Sequence, residues 1–386
     1  MSLFNKHESY LGVDIGSDGI KIVELRRTKN RPQLWTYGIA DEKLDIHLDT
    51  PNKDKTPAEL IREKNLESAE ETGAMTNNKV SQISSAEMNG EKAKYYAEIL
   101  RELVRQARAT SRKAIVSLPV SYVFNAIVNL PKVQEKEIDH LVRAEVKKML
   151  PRPIEEMQVV HQVVPQPDVE KGKEKFLKIL VTAAPREVVA FYTRIFEMAD
   201  LELLELETEG FALERALVGH DVTTSIVVDV GAEKTNFYIM DQGLPMTNHV
   251  INLGGNALDR MIADTAGVTF EQAMRMKSDL SVSGALVNND SFMAVFDPIA
   301  KQIEYGFDVY LRQTGNENKK PEKIILTGGT STFPPLVDYL RRKFAMKVFV
   351  GDPWARVVYQ QGLKPVLDEI GPRMSVAIGL ALRKIV

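Results

Sequence analysis

Two short segments of the chain place an aspartate at the end of an apolar strand pattern, just before a glycine-containing turn. In the first, LGVDIGSDGIKIVEL (residues 11–25), Asp14 ends the strand and Gly16 begins the turn. Glycine lets the backbone approach an anion closely, and successive N–H groups of a turn can form an anion-binding nest. A carboxylate at the strand end suits hydrated Mg²⁺, and Lys21 adds a point charge for phosphate. The segment predicts a phosphate-binding hairpin; a plain surface hairpin with an Asp-Gly turn is the alternative.

The same pattern recurs 215 residues further along the chain, in IVVDVGAEKTNFYIM (residues 226–240). The two segments align without gaps, so that Asp229 matches Asp14 and Gly231 matches Gly16. A repeat at this distance predicts two duplicated domains rather than a solenoid. Two carboxylates that face each other across a cleft repel unless a cation lies between them. We therefore expect the two hairpins to hold a polyphosphate and Mg²⁺ between them.

Two glycine motifs in the C-terminal part of the chain predict close contacts. In ILTGGTSTFPPL, Gly328 and Gly329 would let a flat nucleoside base or ribose pack against the backbone. Thr330 is placed to cap the following helix. A tight strand-to-helix turn alone gives the same pattern. In SVAIGLALR, Gly379 lies within a helix at a cost of about 1 kcal/mol relative to alanine, which a close crossing of two helices would explain.

The composition limits the classes of protein. The 386 residues have room for two or three domains, and a net charge of −3 lacks the basic excess of a nucleic-acid-binding protein. Because there is no cysteine, disulfides, thiol nucleophiles and iron–sulfur clusters are excluded. No apolar run is long enough to span a bilayer, and the N-terminus lacks the apolar region of a signal peptide. We expect a cytoplasmic protein without a nucleic-acid partner and without direct membrane insertion.

One segment differs from the rest in composition. Residues 41–90 contain no aromatic side chain and only 8 Leu, Ile, Val or Phe residues, and their 11 acidic residues outnumber 6 Lys or Arg. Such a composition buries too little apolar area to offset the entropy lost on ordering. We expect a flexible insertion within a domain, and a charged, solvated helix at residues 57–71 is the alternative.

Hydrophobic periodicity predicts an alternating α/β chain. The expected strands lie at residues 11–15, 20–25, 31–39, 113–119, 201–207, 225–230, 235–240, 245–251, 323–329 and 347–353. The expected helices include residues 96–107, 185–199, 209–217, 271–280, 292–311 and 336–344, and Thr269 with Gln272 forms a capping box for one of them. Between them lies a compact unit of three strands (123–129, 158–164 and 175–183) and one helix, which should end at the Pro-Arg-Pro of residues 151–153.

In this order and spacing, the two hairpins, the TGG turn and the glycine-containing helix resemble the motifs of the actin-like ATPase superfamily. The resemblance implies a duplicated ribonuclease-H-like α/β fold that binds ATP or ADP with Mg²⁺. EGFALERAL (residues 209–217) matches the first connecting helix. Glu207 or Glu209 stands where the superfamily often keeps a group that orients the attacking water, although a solvated acid at a helix N-terminus has the same pattern.

Within that superfamily the chain most resembles the PilM family of type IV pilus assembly proteins, over residues 10–384 apart from the insertion. The resemblance is carried by LGVDIGSDGIKIVEL, SLPVSYVFNAIVNLP, EIDHLVRAEVKKMLP, IVVDVGAEKTNFYI, IILTGGTSTFPPLVDYL and AIGLALR. The unit at 114–183 is similar to the 1C subdomain that this family shares with the cell-division protein FtsA. The family implies a scaffold peripheral to the inner membrane, which binds the N-terminal cytoplasmic peptide of a PilN-like membrane protein. The pilus assembly ATPase and a second copy of the chain are further candidate partners.

The resemblance also implies roles for individual residues. Asp14 and Asp229 are the expected metal-binding residues, and Asp229 and Glu209 the expected catalytic ones. The expected nucleotide-binding residues are Gly16, Ser17, Asp18, Gly19, Lys21, Gly231, Ala232, Glu233, Lys277, Gly328, Gly329 and Thr330. Ala232 and Glu233 replace the glycine or small hydroxyl residues more usual in the second hairpin, and Met274 stands where the family often has glutamate. These departures predict nucleotide binding with weak or no hydrolysis.

The resemblance further implies a division into subdomains. We expect subdomain 1A at 1–113 (with the insertion 41–90) and 184–222, 1C at 114–183, 2A at 223–252 and 321–365, 2B at 253–320, and a helix at 366–386 that returns to 1A. Two alternatives remain at this point. An FtsA-like protein should end in a linker and an amphipathic membrane helix, whereas this chain stops soon after AIGLALR. A small-molecule kinase needs a catalytic base beside a substrate pocket, and no further aspartate motif stands out.

Overall fold

The computed structural model describes residues 8–29, 31–45, 85–150, 152–164, 176–279, 292–313 and 315–386. These residues form two five-stranded sheets and one three-stranded sheet. The first sheet has the order β3-β2-β1-β4-β8 and consists of β1 (Ser9–Gly16), β2 (Gly19–Arg26), β3 (Gln33–Ala40), β4 (Lys113–Leu118) and β8 (Glu202–Thr208). The second has the order β11-β10-β9-β12-β13 and consists of β9 (Ser225–Val230), β10 (Thr235–Asp241), β11 (Leu244–Ile251), β12 (Lys323–Thr327) and β13 (Lys347–Val350).

The two five-stranded sheets have the same strand order, which confirms the duplication predicted from the aligned hairpins. In each, the central strand pairs antiparallel with the strand that follows it and parallel with a later one. Asp14 therefore lies opposite Lys21 in the first hairpin, and Asp229 lies opposite Asn236 in the second. Gly19 has a φ of +113°, the positive value that the predicted Asp-Gly turn requires.

Helices cover both faces of the first sheet, which explains why β1 and β2 are almost continuously buried. One face packs against α1 (Ser85–Gln106) and α3 (Arg186–Met198), and the other against α9 (Lys364–Leu382). The contact with α9 is very close. A Cβ atom on Gly12 would lie 2.0 Å from the carbonyl oxygen of Ala377, so only glycine fits at that position of β1.

The second sheet is covered by helices that build the largest core of the molecule. They are α5 (Gly255–Ala266), α6 (Phe270–Ser278), α7 (Met293–Leu311) and α8 (Pro334–Lys343). The predicted capping box at the start of α6 is present, since Thr269 accepts from the backbone N–H of Gln272 and Gln272 reaches back to the Thr269 N–H. Thr330 does not cap α8, contrary to expectation, because that helix begins after Phe333.

Helix α4 (Glu209–Leu213) continues as a π-helix (Glu214–Val218) and crosses α9 between the two sheets. A Cβ atom on Gly379 would lie 1.8 Å from the carbonyl oxygen of Ala212. This confirms the predicted reason for a glycine within α9. Arg215 reinforces the crossing, because its Nε donates to the Gly379 carbonyl oxygen at 2.9 Å and its Nη1 donates to Glu207 at 2.9 Å.

The three-stranded sheet, with the order β5-β7-β6, lies in the segment where a compact unit was predicted. It consists of β5 (Phe124–Leu130), β6 (Met157–Val163) and β7 (Leu177–Pro185), and with α2 (Glu135–Val146) it forms what we call the inserted unit. Helix α2 ends at Val146, before the predicted Pro-Arg-Pro stop, and its last buried contacts belong to the small core of this unit. Asn125 of β5 donates to Asn248 of β11 at 2.8 Å, so the inserted unit also touches the second half of the molecule.

The predicted insertion at 41–90 is too wide at both ends. Leu44 is buried in the first core with 5% of its surface exposed, and its backbone N–H donates to the Ser17 carbonyl oxygen at 2.9 Å. At the other end α1 begins at Ser85, eleven residues before the predicted helix. Residues 46–84 lie outside the described residues. Within the described part of the chain, no helix is long and apolar enough to cross a membrane.

Candidate functional site

A cleft of about 360 Å³ opens where the two hairpins face each other. Every residue predicted for the site lines this cleft except Gly19. Gly19 instead forms the turn behind the wall, where a Cβ atom would meet the carbonyl oxygen of Ala40 at 1.9 Å. The lining residues that were predicted are Asp14, Gly16, Ser17, Asp18, Lys21, Glu209, Asp229, Gly231, Ala232, Glu233, Lys277, Gly328, Gly329 and Thr330. Residues separated by more than 300 positions in the sequence are thus brought to one place.

The first hairpin contributes a buried ion pair. Lys21 Nζ lies 3.9 Å from Asp14 Oδ2, and the two side chains face the cleft from adjacent strands. Ser117 of β4 donates to Asp14 Oδ1 at 3.4 Å. Burial raises the pKa of Asp14, and the charge of Lys21 opposes that shift. A lysine in this position can neutralise the aspartate or an incoming phosphate.

The second hairpin contributes Asp229 and a turn held by backbone contacts. The N–H groups of Gly255 and Asn256, at the start of α5, donate to the carbonyl oxygens of Gly231 and Ala232, each at 2.8 Å. The start of α5 thus fixes the turn of the hairpin. Burial and the charge of Asp14 raise the pKa of Asp229 to about 6.

Glu209 lies between the two aspartates at the base of the cleft. Its Oε2 accepts from the Tyr238 hydroxyl at 2.7 Å and from Asn236 Nδ2 at 3.3 Å. Burial, followed by the charges of Asp14 and Asp229, raises the pKa of Glu209 to about 8. The structure thereby separates the two glutamates left open by the sequence. Glu209 lines the cleft, whereas Glu207 is paired with Arg215 outside it.

The backbone of the TGG turn lies in close contact with Asp229, the aspartate of the second hairpin. Gly328 has a φ of +86°, and a Cβ atom there would lie 2.4 Å from Asp229 Oδ1. Its N–H donates to the Pro372 carbonyl oxygen at 3.0 Å, which ties the turn to α9. Both the backbone conformation and the space available therefore require glycine at this wall of the cleft.

Helix α6 supplies the opposite wall through Lys277 and Met274. Lys277 Nζ donates to Asp259 Oδ2 at 2.7 Å and to the Gly255 carbonyl oxygen at 3.3 Å. Asp259 is almost wholly buried, and its second carboxylate oxygen has no hydrogen-bond partner within the described residues. Lys277 is consequently held at the cleft by a carboxylate that no motif of the chain indicated.

The walls of the cleft carry more negative than positive charge. Seven carboxylates and four cationic side chains line it: Asp14, Asp18, Asp41, Glu209, Asp229, Glu233 and Asp259, against Lys21, Lys234, Lys277 and Arg373. Burial is the largest cause of the raised pKa values of Asp14, Glu209, Asp229 and Asp259, and neighbouring carboxylates raise those of Glu209 and Asp229 further. A polyanion can enter such a site only together with a cation that offsets this charge.

The residues present fit a hydrated divalent cation. Across the described residues, no group of three or more histidine, cysteine, aspartate or glutamate side chains could hold a metal ion directly. Mg²⁺ commonly keeps several waters and takes only one or two carboxylates plus phosphate oxygens, which suits Asp14 and Asp229. Asn236 uses its amide nitrogen on Glu209 and Asp229, and its Oδ1 is buried without a partner in the described part of the chain. That oxygen can accept from a bound water.

Several lining residues were missed by the sequence analysis. They are Asp41, Pro119, Val120, Ser121, Lys234, Asn236, Asn256, Asp259, Ser278, Arg373 and Ser375. The repeat could have indicated Asn236, because it aligns with Lys21 when the two hairpins are superimposed. Arg373 and Asp259 carry no such signal, since they reach the cleft through helices whose placement depends on tertiary packing.

The two five-stranded sheets have the same strand order, and from each a hairpin that carries an aspartate faces the shared cleft. This arrangement defines an actin-like ATPase fold. The family model described as type IV pilus assembly protein PilM matches residues 72–385. This chain therefore belongs to the PilM family, and it is an actin-like protein of pilus assembly. Membership of that family favours neither the FtsA-like nor the kinase alternative.

Comparison with solved structures agrees with this fold. The chain is similar to a protein of a PilM-PilN type IV pilus biogenesis complex, with a TM-score of 0.72 and 23% identity over 98% of both chains. It is also similar to the ethanolamine utilization protein EutJ from Carboxydothermus hydrogenoformans, with a TM-score of 0.50 and 15% identity over 97% of this chain and 89% of that one. At these identities the likeness shows the fold alone.

Proposed function

We propose that this chain is an ATP- or ADP-binding scaffold of the type IV pilus assembly platform, peripheral to the inner membrane through a protein partner. The observation that carries the proposal is the cleft itself, where Asp14 and Asp229 face each other from duplicated hairpins. The chain belongs to a pilus assembly family. In such a protein, a nucleotide bound between the two hairpins would set the angle between the two halves of the molecule.

Each wall of the cleft would have a separate role in holding the nucleotide with Mg²⁺. The turns at residues 16–19 and 231–234 would surround the phosphates, and Lys21 would supply a positive charge. Asp14 and Asp229 would hold Mg²⁺ through water, and the bound cation offsets the charge of the phosphates. The turn at Gly328 and the side chain of Lys277 would border the nucleoside.

The environment of Glu209 supports weak hydrolysis or none. With a pKa of about 8, Glu209 holds a proton at neutral pH while the cleft contains no cation. A protonated carboxylic acid cannot take a proton from water, so Glu209 is a poor general base in that state. Glu233 in the second turn adds a negative charge where phosphate would lie, and Ala232 has no side-chain group that could offset it. The protonated state of Glu209 is the feature that favours binding over catalysis.

The proposed partner is the N-terminal cytoplasmic peptide of a PilN-like membrane protein. The similar structure is of a PilM-PilN complex, which supports a partner of this kind. The resemblance to the PilM family implies that the peptide would dock between subdomains 1A and 1C, and the predicted 1C subdomain corresponds to the inserted unit. The chain would thereby reach the membrane by holding the tail of another protein.

Nucleotide binding is expected to depend strictly on a divalent cation. Titration of ATP into the purified protein by calorimetry should show binding with Mg²⁺ present. Binding should be at least about 100-fold weaker with EDTA, because the cleft has an excess of carboxylates. Equal affinity with and without Mg²⁺, or no binding under either condition, would contradict the nucleotide assignment.

Peptide binding is expected to need no other pilus component. A synthetic peptide with the N-terminal sequence of a PilN-like protein from the same organism should bind in a fluorescence anisotropy titration. A scrambled peptide of the same composition is the control, since it separates sequence recognition from charge attraction. If the native and scrambled peptides bind with equal affinity, both with and without ATP and Mg²⁺, the result would contradict the proposed PilN-like partner.

A further inference from the structure

Arg373 lies at the mouth of the cleft, on α9, and no motif of the sequence indicated it. It directly follows Pro372, whose carbonyl oxygen accepts from the Gly328 N–H at 3.0 Å. The Cγ atom of Arg373 lies 3.2 Å from where a Cβ atom of Gly329 would be, so its aliphatic part packs against the TGG turn. The position of this side chain is therefore tied to a wall of the cleft.

The guanidinium group of Arg373 bridges two carboxylates of the first half of the molecule. Its Nη2 lies 2.5 Å from Asp41 Oδ1 and 3.6 Å from Asp18 Oδ2. Asp18 belongs to the turn of the first hairpin, and Asp41 follows β3 directly. The guanidinium group of Arg373 therefore already binds the oxygen atoms of two anionic side chains.

Asp41 is held in place by its neighbours in the chain. Leu44 is buried in the first core and bonds to the carbonyl oxygen of Ser17, as described above. Lys43 Nζ lies 5.4 Å from the centre of the Phe270 ring, at the start of α6 on the other side of the cleft. The segment 41–45 thus crosses the mouth of the cleft and presents Asp41 to Arg373.

The cationic side chains of the cleft differ in how much free energy is lost when each one leaves its carboxylate partner. Lys21 and Lys277 are paired with Asp14 and Asp259, whose side chains are only 14% and 1% exposed, so moving either lysine leaves a buried charge. The partners of Arg373, Asp18 and Asp41, are 43% and 66% exposed. Water can solvate them once the guanidinium leaves, and exposed ion pairs of this kind are weak. Of these three cations, Arg373 is the one that can change partners most easily.

We propose that Arg373 is a phosphate-contacting residue for the bound nucleotide, held in readiness by Asp41 and Asp18. The inference rests on the proposed function. On binding, the guanidinium exchanges a carboxylate for a phosphate oxygen, an anion with matching hydrogen-bond geometry. The planar group then spans the ligand and the TGG turn. Asp41 competes with the nucleotide for Arg373 and so lowers the affinity of the cleft.

The test is a set of dissociation constants for ATP with Mg²⁺, measured by calorimetry on the full chain. Arg373→Ala should weaken binding about tenfold, the scale of one charge-assisted hydrogen bond. Arg373→Lys should recover part of that loss because it keeps the charge. Asp41→Asn should tighten binding about threefold, and Glu42→Gln, a neighbouring exposed acid outside the cleft, should leave it unchanged.

The double variant Asp41→Asn with Arg373→Ala separates competition from simple electrostatics. If Asp41 acts by occupying Arg373, its replacement has no effect once Arg373 is gone. A threefold gain from Asp41→Asn in both backgrounds would overturn the inference, as would wild-type affinity in Arg373→Ala. Absence of binding by the wild-type chain would instead overturn the proposed function, and the inference with it. Thermal midpoints of all variants confirm that each is folded.

Discussion

Replacing Asp229 by asparagine should abolish nucleotide binding and at the same time stabilise the empty protein. The carboxylate is buried beside Asp14 and Glu209, and its pKa of about 6 lies above the ordinary 3.8. Ionised Asp229 therefore destabilises the fold, whereas the amide has no charge to bury. Because 1.36 kcal/mol corresponds to one pKa unit, the gain in unfolding free energy at pH 8 should be about 3 kcal/mol.

The pH dependence of this gain follows from linkage. Between pH 3.8 and 6 the folded state holds a proton on Asp229 that the unfolded state releases, so stability contributed by the proton is lost as pH rises. The advantage of Asp229→Asn should accordingly be full above pH 6 and should shrink as the pH falls toward 4. Urea unfolding of both proteins at pH 5 and pH 8, without Mg²⁺ or nucleotide, measures it.

Affinity should change in the opposite direction. Without the carboxylate, one of the two acids proposed to hold Mg²⁺ is missing, and ATP with Mg²⁺ should bind at least about 100-fold more weakly. Asp264→Asn, an exposed aspartate of α5 outside the cleft, is the matched control and should alter neither quantity. Retained affinity in Asp229→Asn would remove Asp229 from the site, and lost stability would refute the account of its pKa.

Replacing Gly379 by alanine should cause the largest loss of stability among small substitutions in α9. The added Cβ atom would lie 1.8 Å from the Ala212 carbonyl oxygen, and backbone of a crossing helix cannot rotate away. Overpacking usually costs 1–3 kcal/mol, and a contact with backbone belongs at the upper end, so we expect a loss of about 3 kcal/mol. The change also displaces the Gly379 carbonyl oxygen from Arg215 Nε.

Gly362→Ala provides the control for this substitution. Gly362 lies just before α9, nothing is within 4 Å of its Cβ position, and its φ is not positive. Alanine there should change the unfolding free energy by less than about 1 kcal/mol, and in the direction of greater stability. Thermal or urea unfolding of the two variants side by side decides the matter. Equal midpoints would mean that α4 and α9 can separate without cost.

The fold could be predicted because the sequence patterns that indicate it lie in short segments of the chain, and one of these patterns is repeated. The aligned hairpins predicted the duplication, and the glycine in AIGLALR predicted a close crossing that the structure contains at Ala212. Both depend on short segments in which residue type is dictated by backbone geometry. The start of α1 was missed, because its first turns are polar and carry no apolar periodicity.

Residues of the candidate site could be predicted only where they lie in short sequence motifs such as the two hairpins. Glu207 and Glu209 are two residues apart, yet one pairs with Arg215 and the other faces the cleft, since the chain passes from β8 into α4 between them. Sequence spacing cannot distinguish them. Arg373 and Asp259 depend on how α9 and α5 pack, so their pairing with Asp41 and Lys277 could not have been inferred.

The connection between β4 and β5 has a consequence for the partner. Pro119, Val120 and Ser121 line the cleft and also form the root of the inserted unit. A nucleotide in the cleft would touch that root directly, so no relay of intermediate residues is required. Coupling between two binding events is reciprocal. If nucleotide strengthens peptide binding tenfold, the peptide strengthens nucleotide binding tenfold, and the supply of the proposed membrane partner then sets the fraction of chains that hold nucleotide.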